Sequence, residues 1–322
     1  MTSDPYVLVL STIADVATDE VIRRLAAHNT LHRRINTEDF PFSRTFAYRP
    51  KTKPEEYWML TEHDPLPIPT AVWYRRVRSA PKPDGMDEGV YAFCLRENRA
   101  ALLGSIMGLT ARWMSHPAAV WQAEYKPFQL SLATKLGLAI PATVVTNDPL
   151  IIRKSFAEFE RMVVKPTRSG HLTQSGQHFA IYTSQVLEQH LDELDSAKLC
   201  PAVYQALVPK RFDLRVTIVG HRVFAAAIDS QSDPMAMIDW RQTGNARLTH
   251  HPVTLPEAVT SKLLSMMESL HLAFGAIDMI EKPDGTYVFL EINPNGQWLW
   301  LDDMLAFGIS DAIAAWLTKG AE

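Results

Sequence analysis

Apolar residues come in short blocks along this chain, and their spacing switches between the period of a strand and that of a helix. Tyr6-Val7-Leu8-Val9-Leu10 is a largely aliphatic run that predicts a strand. Thr18 to His28, with Val21, Ile22 and Leu25 at helical spacing behind Asp19 and Glu20, predicts the helix after it. Arg33-Arg34-Ile35-Asn36 predicts a weak second strand and Ala71-Val72-Trp73-Tyr74-Arg75-Arg76 a stronger one. Between them, Pro50 to Pro69 is rich in proline and charge around Tyr57-Trp58-Met59-Leu60, the composition of a connecting loop or a peptide-facing arm. Ala80 to Gly89 predicts a further loop, and Val90 to Leu109 a helix with a break near Gly104.

The pattern changes character at Trp113 to Pro117. Beyond it, Phe128 to Leu136 predicts a helix closed by Gly137, Ile140 to Thr146 a strand, and Asn147-Asp148-Pro149 the start of another helix. Val163-Val164-Lys165-Pro166 predicts a strand that ends on a lysine beside the polar loop Thr167 to Gly176. Ala202 to Val208 and Asp213 to Gly220 predict strands, the second returning through Gly220-His221 into Val223 to Ile228. Pro256 to Leu270 is an amphipathic helix whose face Val259, Leu263, Met266, Met267 and Leu270 reads as core filling, and Ser310 to Leu317 predicts the closing helix.

The last predicted hairpin carries the chemistry. Two apolar runs, Gly275 to Ile280 and Thr286 to Ile292, flank Pro283-Asp284-Gly285, a turn signal built on the fixed φ of proline and the freedom of glycine. Each run contains one acid, Asp278 and Glu291, and an unpaired carboxylate among apolar neighbours is costly. Loop length decides how the acids relate. A loop of two or four residues sets Asp278 opposite Glu291 on one face; a three-residue loop pairs Asp278 with Leu290 and turns Glu291 away unless a bulge restores it. Facing carboxylates repel unless a cation lies between them, and Asn293 returns an amide oxygen to the face of Glu291, giving an oxygen-only set suited to Mg2+. A solvated face with a shared proton is the other reading, and the neighbours Phe289, Leu290 and Ile292 count against it.

Other residues carry weaker signals. Lys165 at its strand end, beside a glycine-containing loop, suits a phosphate grip, although no P-loop pattern is present and a plain exposed lysine is the alternative. Asp213 and Arg215 share a strand face, where the arginine suits charge on a phosphoryl group and a simple ion pair is the alternative. Arg241, in Asp239-Trp240-Arg241 of a polar segment reaching Thr249, is a candidate contact for substrate or phosphate. Arg75-Arg76 reads as a solvated strand end, with an acidic peptide or phosphate as its alternative ligand, and His250-His251 reads as surface without further ligands at metal spacing.

Composition narrows the class. A chain of 322 residues, 47% apolar and 21% charged, is long enough for two or three domains and a sizeable core. Its net charge of -4 gives no footprint for nucleic acid. Cys94 and Cys200 form no CxxC pattern and read as buried inert thiols of a reducing compartment. With neither a signal peptide nor an apolar run approaching ~18 residues, a cytoplasmic protein without a membrane span is expected.

The order Lys126, Lys165-Pro166, a mobile loop, Asp213-Leu214-Arg215, Asp278 and Glu291-Ile292-Asn293-Pro294 resembles the ATP-grasp superfamily. Ala123-Glu124-Tyr125-Lys126-Pro127, Pro141 to Asp148, Ala226 to Ser230, Asp239-Trp240-Arg241 and Asn293 to Trp300 look like its ribosomal peptide maturases, the microviridin-type graspetide or omega-ester-containing peptide synthetases. The strand Val7 to Leu10 and the segment Val72 to Arg76 are similar too. The resemblance implies an α/β (α+β) ATP-grasp fold, with a small N-terminal α/β domain over residues 1–115, a central ATP-grasp domain over 116–206 and a C-terminal one over 207–322. It implies ATP and Mg2+, with Lys126 and Lys165 on the phosphates, Asp278, Glu291 and Asn293 on the metal, and Arg215 beside the transferred phosphate. Asp213 falls on the nucleotide side, as do Gln205, Ala206, Leu207 and Val208 of the hinge strand, where Gln205-Ala206 departs from the common Gln-Glu.

The implied partner is a ribosomal precursor peptide with a leader and a Thr/Asp/Glu-rich core. Its leader would dock near the Val216 to Ile228 hairpin and its acids would meet Arg215 and Arg241, with room for a homodimer. The implied reaction phosphorylates Asp or Glu side chains of the core and cyclises them onto Ser or Thr as ω-esters or onto Lys as ω-amides. A RimK-like amino-acid or glutamate ligase and a non-catalytic nucleotide-binding adaptor are the rival readings. Asp239-Trp240-Arg241 and Asn295-Gly296-Gln297-Trp298 favour the maturase, and the full set of lysines, acids and amide argues against the adaptor. Because the implied metal set needs both acids on one face, it excludes a strict three-residue turn.

Overall fold

The computed structural model describes residues 5–44, 47–48, 59–61, 64–168, 170–174, 177–243 and 247–320. Its first apolar blocks build a parallel sheet in the order His32–Asn36, Val7–Ser11, Ala71–Tyr74, Arg112–Met114. Val7–Ser11 is buried at every position because both faces of the sheet are covered, which is why its sequence is a continuous apolar run. Val7 and Val9 face Val21 and Leu25 of the helix Val16–Ala27 and Ile313 and Leu317 of the helix Ile309–Lys319. Leu8 and Leu10 face the other way, into a core that holds Ile106, Val120, Leu130, Leu214 and Ile218. The last helix therefore packs beside the first, and the sheet of the N-terminal region shares its cores with residues beyond 207.

Two antiparallel sheets follow. Ser184–Val186, Met162–Lys165, Ala202–Ala206 and Thr143–Thr146 lie in that order in one. The other runs His250–Val253, Arg222–Ile228, Phe212–Val219, Phe274–Glu281, Tyr287–Asn293. The helix Glu257–Ser269 buries Leu263, Met266 and Met267 in the main core, as its apolar stripe predicts. A separate hairpin, His171–Gln174 with Gln177–Ala180, rises from the loop after Lys165; Ser169, Ser175 and Gly176 of that loop lie outside the described residues.

Three expectations change. The helix Glu88–Met107 runs unbroken through Gly104, where a Cβ would meet nothing within 4 Å, so this glycine marks no close approach. In the proline-rich segment, Met59–Thr61 and Asp64–Leu66 pair as a small antiparallel hairpin, while residues 50–58 and 62–63 lie outside the described residues. Cys200 is exposed and Cys94 half-buried, because Cys200 closes the short 3-10 segment Glu188–Leu199 at the surface; neither is the buried thiol expected. The outer edge of the Val216 to Ile228 hairpin is paired over Ala225–Ile228 only, which leaves Arg222, Val223 and Phe224 open beside the exposed tip at His221. Among the described residues no helix is long and apolar enough to cross a membrane.

Candidate active site

The hairpin Phe274–Glu281 to Tyr287–Asn293 closes through a loop of odd length. Lys282 N donates to Thr286 O at 2.9 Å and Gly285 N to Lys282 O at 2.9 Å, leaving Pro283-Asp284-Gly285 as the loop, with Gly285 at φ 80°. The strands therefore start in the register Glu281 to Tyr287, Ile280 to Val288 and Met279 to Phe289. A β-bulge at Leu290 then absorbs one residue, and Asp278 lies opposite Glu291 and Ala276 opposite Asn293. The even loop is thus corrected to a three-residue loop, and the bulge restores the facing pair. It also presents the Leu290 carbonyl, which lies 3.4 Å from Lys165 Nζ.

Glu291 gathers cations from three parts of the chain. Lys126 Nζ and Lys165 Nζ lie 3.5 and 3.8 Å from its Oε2, and Arg241 Nη1 lies 4.0 Å from its Oε1. Burial pushes the Glu291 carboxyl up, but Lys165, Lys126 and Arg241 more than offset it, so its pKa falls below the ordinary value and the group is ionised. Lys165 is buried, not the exposed lysine of the bland reading, and burial draws its pKa down against the pull of Glu291. Lys126 stands in the first turn of the helix Lys126–Lys135, where its Nζ also donates to Arg168 O at 2.7 Å. One turn further on, Gln129 Oε1 accepts from Ile292 N and Gln129 Nε2 donates to Ile292 O, each at 2.9 Å, which ties this helix to the strand carrying Glu291. Gln129 is not among the residues the sequence singles out; its one signal there is a polar residue three positions after Lys126 on the helix face shared by Leu130 and Ala133.

Among the described residues Asp278 has one ion-pair partner. Arg215 lies directly across the ladder, with Nη1 2.9 Å from Asp278 Oδ1 and Nη2 3.0 Å from Gln297 O. Gly296 makes room for this guanidinium: a Cβ there would stand 2.3 Å from Ala276 Cβ and 2.7 Å from Arg215 Nη2. Asp213 shares the strand but does not pair with Arg215. It takes Lys210 Nζ at 3.1 and 3.0 Å and Ser230 Oγ at 2.5 Å, and burial still pushes its carboxyl up.

Arg241 is clasped by Asp239, whose carboxylate receives Nε at 2.8 Å and Nη2 at 2.6 Å and also Thr183 N at 3.0 Å. Burial raises the Asp239 carboxyl, yet the bonds from Arg241 and Thr183 lower it further, and the same pair raises Arg241. The Arg75-Arg76 pair divides. Arg75 is fully buried between Asp15, 3.4 Å away, and the Trp298 ring, 4.3 Å away, and donates to Asn295 O at 2.5 Å, so the solvated reading fails for it. Its strand runs into the seam between the first sheet and the loop after Asn293; burial draws its pKa down to about 9, which leaves it charged at neutral pH. The surface reading of His250-His251 also fails, since both are half-buried, their rings 5.1 Å from Trp300 and Phe212.

These groups border two cavities that share Arg241, Glu291 and Asn293. One of about 430 Å3 is lined by Lys126, Glu124, Arg168 and Gly170, the other of about 440 Å3 by Arg76, Arg215, Asp278, Trp240 and Trp300. Lys165 and Asp213 reach a small space of about 40 Å3 between the acids. Gln205, Ala206, Leu207 and Val208 line none of these three. Gln205 Nε2 is bonded to Thr143 Oγ1 at 2.9 Å, and the backbone N-H groups of Ala206 and Leu207 go to Ala142 O and Arg161 O. The rest of the predicted set is brought together. The oxygens of Asp278, Glu291 and Asn293 form a hard donor set on adjacent strands, with Lys126, Lys165, Arg215 and Arg241 around the two acids; that chemistry fits Mg2+ and a nucleotide phosphate. Among the described residues no three His, Cys, Asp or Glu side chains form a metal cluster of their own.

Comparison with known proteins places this geometry. The family model described as the MvdD pre-ATP grasp domain matches residues 6–120. A RiPP-associated ATP-grasp ligase of Chryseobacterium gregarium, solved in complex with ADP and a leader and core peptide, superposes with a TM-score of 0.88 at 28% identity over 99% of this chain and 98% of that one. The macrocyclase MdnC of Microcystis aeruginosa MRC, solved with its precursor peptide MdnA, superposes at 0.86 with 33% identity over 98% of this chain and 100% of its own. The macrocyclase MdnB of the same organism superposes at 0.80 with 32% identity over 98% and 100%. No curated protein sequence matches.

Proposed function

We propose that this chain, which belongs to the ATP-grasp ribosomal peptide maturases, uses ATP to close rings within a ribosomally made precursor peptide. The observation that carries this reading is the facing pair Asp278 and Glu291, with Lys126, Lys165, Arg215 and Arg241 converging on it and a cavity on either side. Asp278, Glu291 and Asn293 would hold Mg2+, which when bound neutralises charge on the phosphates. Lys126 and Lys165 orient the polyphosphate from the side of the first cavity, with Asp213 braced by Lys210 behind the acids; in the hinge Gln205 to Val208 the N-H groups of Ala206 and Leu207 are already bonded, which leaves its carbonyls and Val208 to the base. From the second cavity, Arg215 and Arg241 align a peptide Asp or Glu carboxylate.

The steps balance without an added oxidant or reductant. The side-chain carboxylate oxygen attacks the γ-phosphorus, the bond to the leaving ADP breaks, and an acyl phosphate forms. A Ser or Thr hydroxyl, or a Lys amine, of the same peptide then attacks the acyl carbon, releasing phosphate and losing its proton, so each ω-ester or ω-amide link removes one water. We assign the peptide a leader and a core rich in Thr, Asp and Glu, and the reaction to the cytoplasm, where ATP and newly made precursor meet. A homodimer is supported by the exposed Val90 and Phe93 on the helix Glu88–Met107, and sedimentation decides it.

The deciding experiment incubates the protein with ATP, Mg2+ and a full-length Thr/Asp/Glu-rich precursor encoded beside it. Mass spectrometry is expected to read the loss of one water per link. No mass change with that precursor overturns the reading, and ligation of free glutamate in its place indicates an amino-acid ligase.

A further inference from the structure

The second cavity contains a guanidinium that the reaction scheme above leaves unassigned. Arg76 follows the buried Arg75, leaves the first sheet and lines the cavity beside Arg215 and Arg241. Three arginines from three separate segments thus meet around one space, and each has a different partner. Arg215 is paired with Asp278 and Arg241 with Asp239, while Arg76 has no carboxylate partner among the described residues. What it has is neutral. With the Gln297 amide oriented by its neighbours, Oε1 accepts from Arg76 Nη1 at 3.0 Å and from Nη2 at 2.6 Å, one oxygen bridging the two arms where a carboxylate would offer two.

The same residue covers the second arginine, because Gln297 O accepts from Arg215 Nη2 at 3.0 Å. One exposed glutamine therefore lays two uncharged oxygens on two guanidinium groups at the cavity. The guanidinium already charge-assists its bond to the amide, but an ionised carboxylate adds an opposite charge and a second oxygen for the fork, so it is the stronger ligand. The amide is thus a partner that an incoming acid can displace, and its own side chain lies at the surface, free to swing aside.

Resting on the peptide-maturase reading, we propose that Arg76 is the specificity-determining residue that receives the side-chain carboxylate of the peptide substrate, taking it in place of the Gln297 amide oxygen before the carboxylate is activated. Arg75 and Arg76, adjacent in sequence, then do separate jobs: one holds the loop after Asn293 and the other reads the substrate. The site selects Asp or Glu over Asn or Gln because a neutral amide gains nothing over the Gln297 contact it would replace.

Trp240 and Trp300 line the same cavity and give a direct signal. The test titrates the nucleotide-free protein with N-acetyl-glutamate α-amide, a probe with one side-chain carboxylate, and with N-acetyl-glutamine α-amide as the neutral control, reading tryptophan fluorescence. The wild type is expected to saturate with the acid and not with the amide. Arg76→Gln shifts the midpoint upward by about tenfold or more, and Arg76→Lys falls between the two. Gln297→Glu, which would place an internal carboxylate on Arg76, is expected to weaken probe binding as well without removing a cation, so a misfolded Arg76→Gln does not leave the matter open. With the precursor, Arg76→Gln raises KM for the peptide and leaves KM for ATP unchanged. The proposal is overturned if Arg76→Gln titrates as the wild type does, if the glutamine probe binds as well as the glutamate probe, or if neither probe binds the wild type. Failure of the maturase reading is seen separately, as a wild type that removes no water from its precursor.

Discussion

Asp278 and Glu291 face one another across a single ladder, yet their charges are balanced in opposite ways. Asp278 has one guanidinium at 2.9 Å, an aligned pair with little charge left over. Glu291 has three cations, none nearer than 3.5 Å, and one of them, Arg241, is already clasped by Asp239 at 2.6 Å. Lys126 and Lys165 are thus held close to a carboxylate that does not saturate them, and the surplus positive charge lies beside the cavity lined by Lys126 and Arg168. The difference teaches how one hairpin can serve two substrates. A tight ion pair keeps a guanidinium in a fixed orientation for a small carboxylate, whereas two loosely paired ammonium groups leave donors for the many oxygens of a polyphosphate.

The largest break in this contrast comes from removing the surplus. Lys165→Met leaves Glu291 with Lys126 and the Asp239-clasped Arg241 and strips the ammonium from the Leu290 carbonyl, and ATP-dependent dehydration of the precursor is expected to fall about 100-fold or more. Turnover within a few-fold of the wild type would show that the surplus charge is idle. Arg215→Lys acts at the other end. It keeps the charge but loses the fork that spans Asp278 and Gln297 O, so a smaller loss of about 10- to 100-fold is expected, with KM for ATP nearly constant; full cyclisation by Arg215→Ala would remove the assigned role altogether. Gly296→Ala sharpens the comparison without touching a charge. Its Cβ would be forced against Ala276 Cβ at 2.3 Å and Arg215 Nη2 at 2.7 Å, which costs about 1 to 3 kcal/mol in urea unfolding and perturbs the Asp278 end while sparing the Glu291 end.

Sequence reading reached the acids but not the way they come to face each other. The apolar runs, Asp278 and Glu291 were legible because a carboxylate among Met279, Ile280, Phe289 and Ile292 is costly unless it is paired, solvated or bound to a cation. The loop was not, because Pro283-Asp284-Gly285 is compatible with several lengths and the bulge at Leu290 leaves no residue signature. The parallel first sheet was legible in its strand and helix blocks, since burial on both faces makes Val7 to Leu10 uniformly apolar. Arg75 and Arg76 could not be told apart, because the burial of one depends on Asp15 and Trp298, distant in sequence and brought together only by the fold. Gln129 was missed for the same reason: its partners are the backbone groups of Ile292, and a backbone leaves no letter to read. Family resemblance carried the order of the charged residues across that gap; it did not carry the partners each of them has here.

The smallest effect tests what keeps Arg241 from joining Lys126 and Lys165 in the surplus. Asp239 is buried, and its carboxyl lies below its ordinary value of 3.8 because Arg241 and Thr183 donate to the ionised form. A carboxyl depressed on folding contributes stability that is complete above the unfolded value and disappears as pH falls through the folded one. Asp239→Asn is therefore expected to cost roughly 1 kcal/mol at neutral pH, measured as a shift in the urea midpoint. The gap to the wild type should hold from neutral pH down to about 4 and narrow only in stronger acid, below the 3.8 of the free group. A gap that stays constant into that acid range would mean that Asp239 acts through its shape and neutral bonds alone. Arg241 would then count with the lysines around Glu291, and the contrast between the two ends of the hairpin would be larger than the ion pairs suggest.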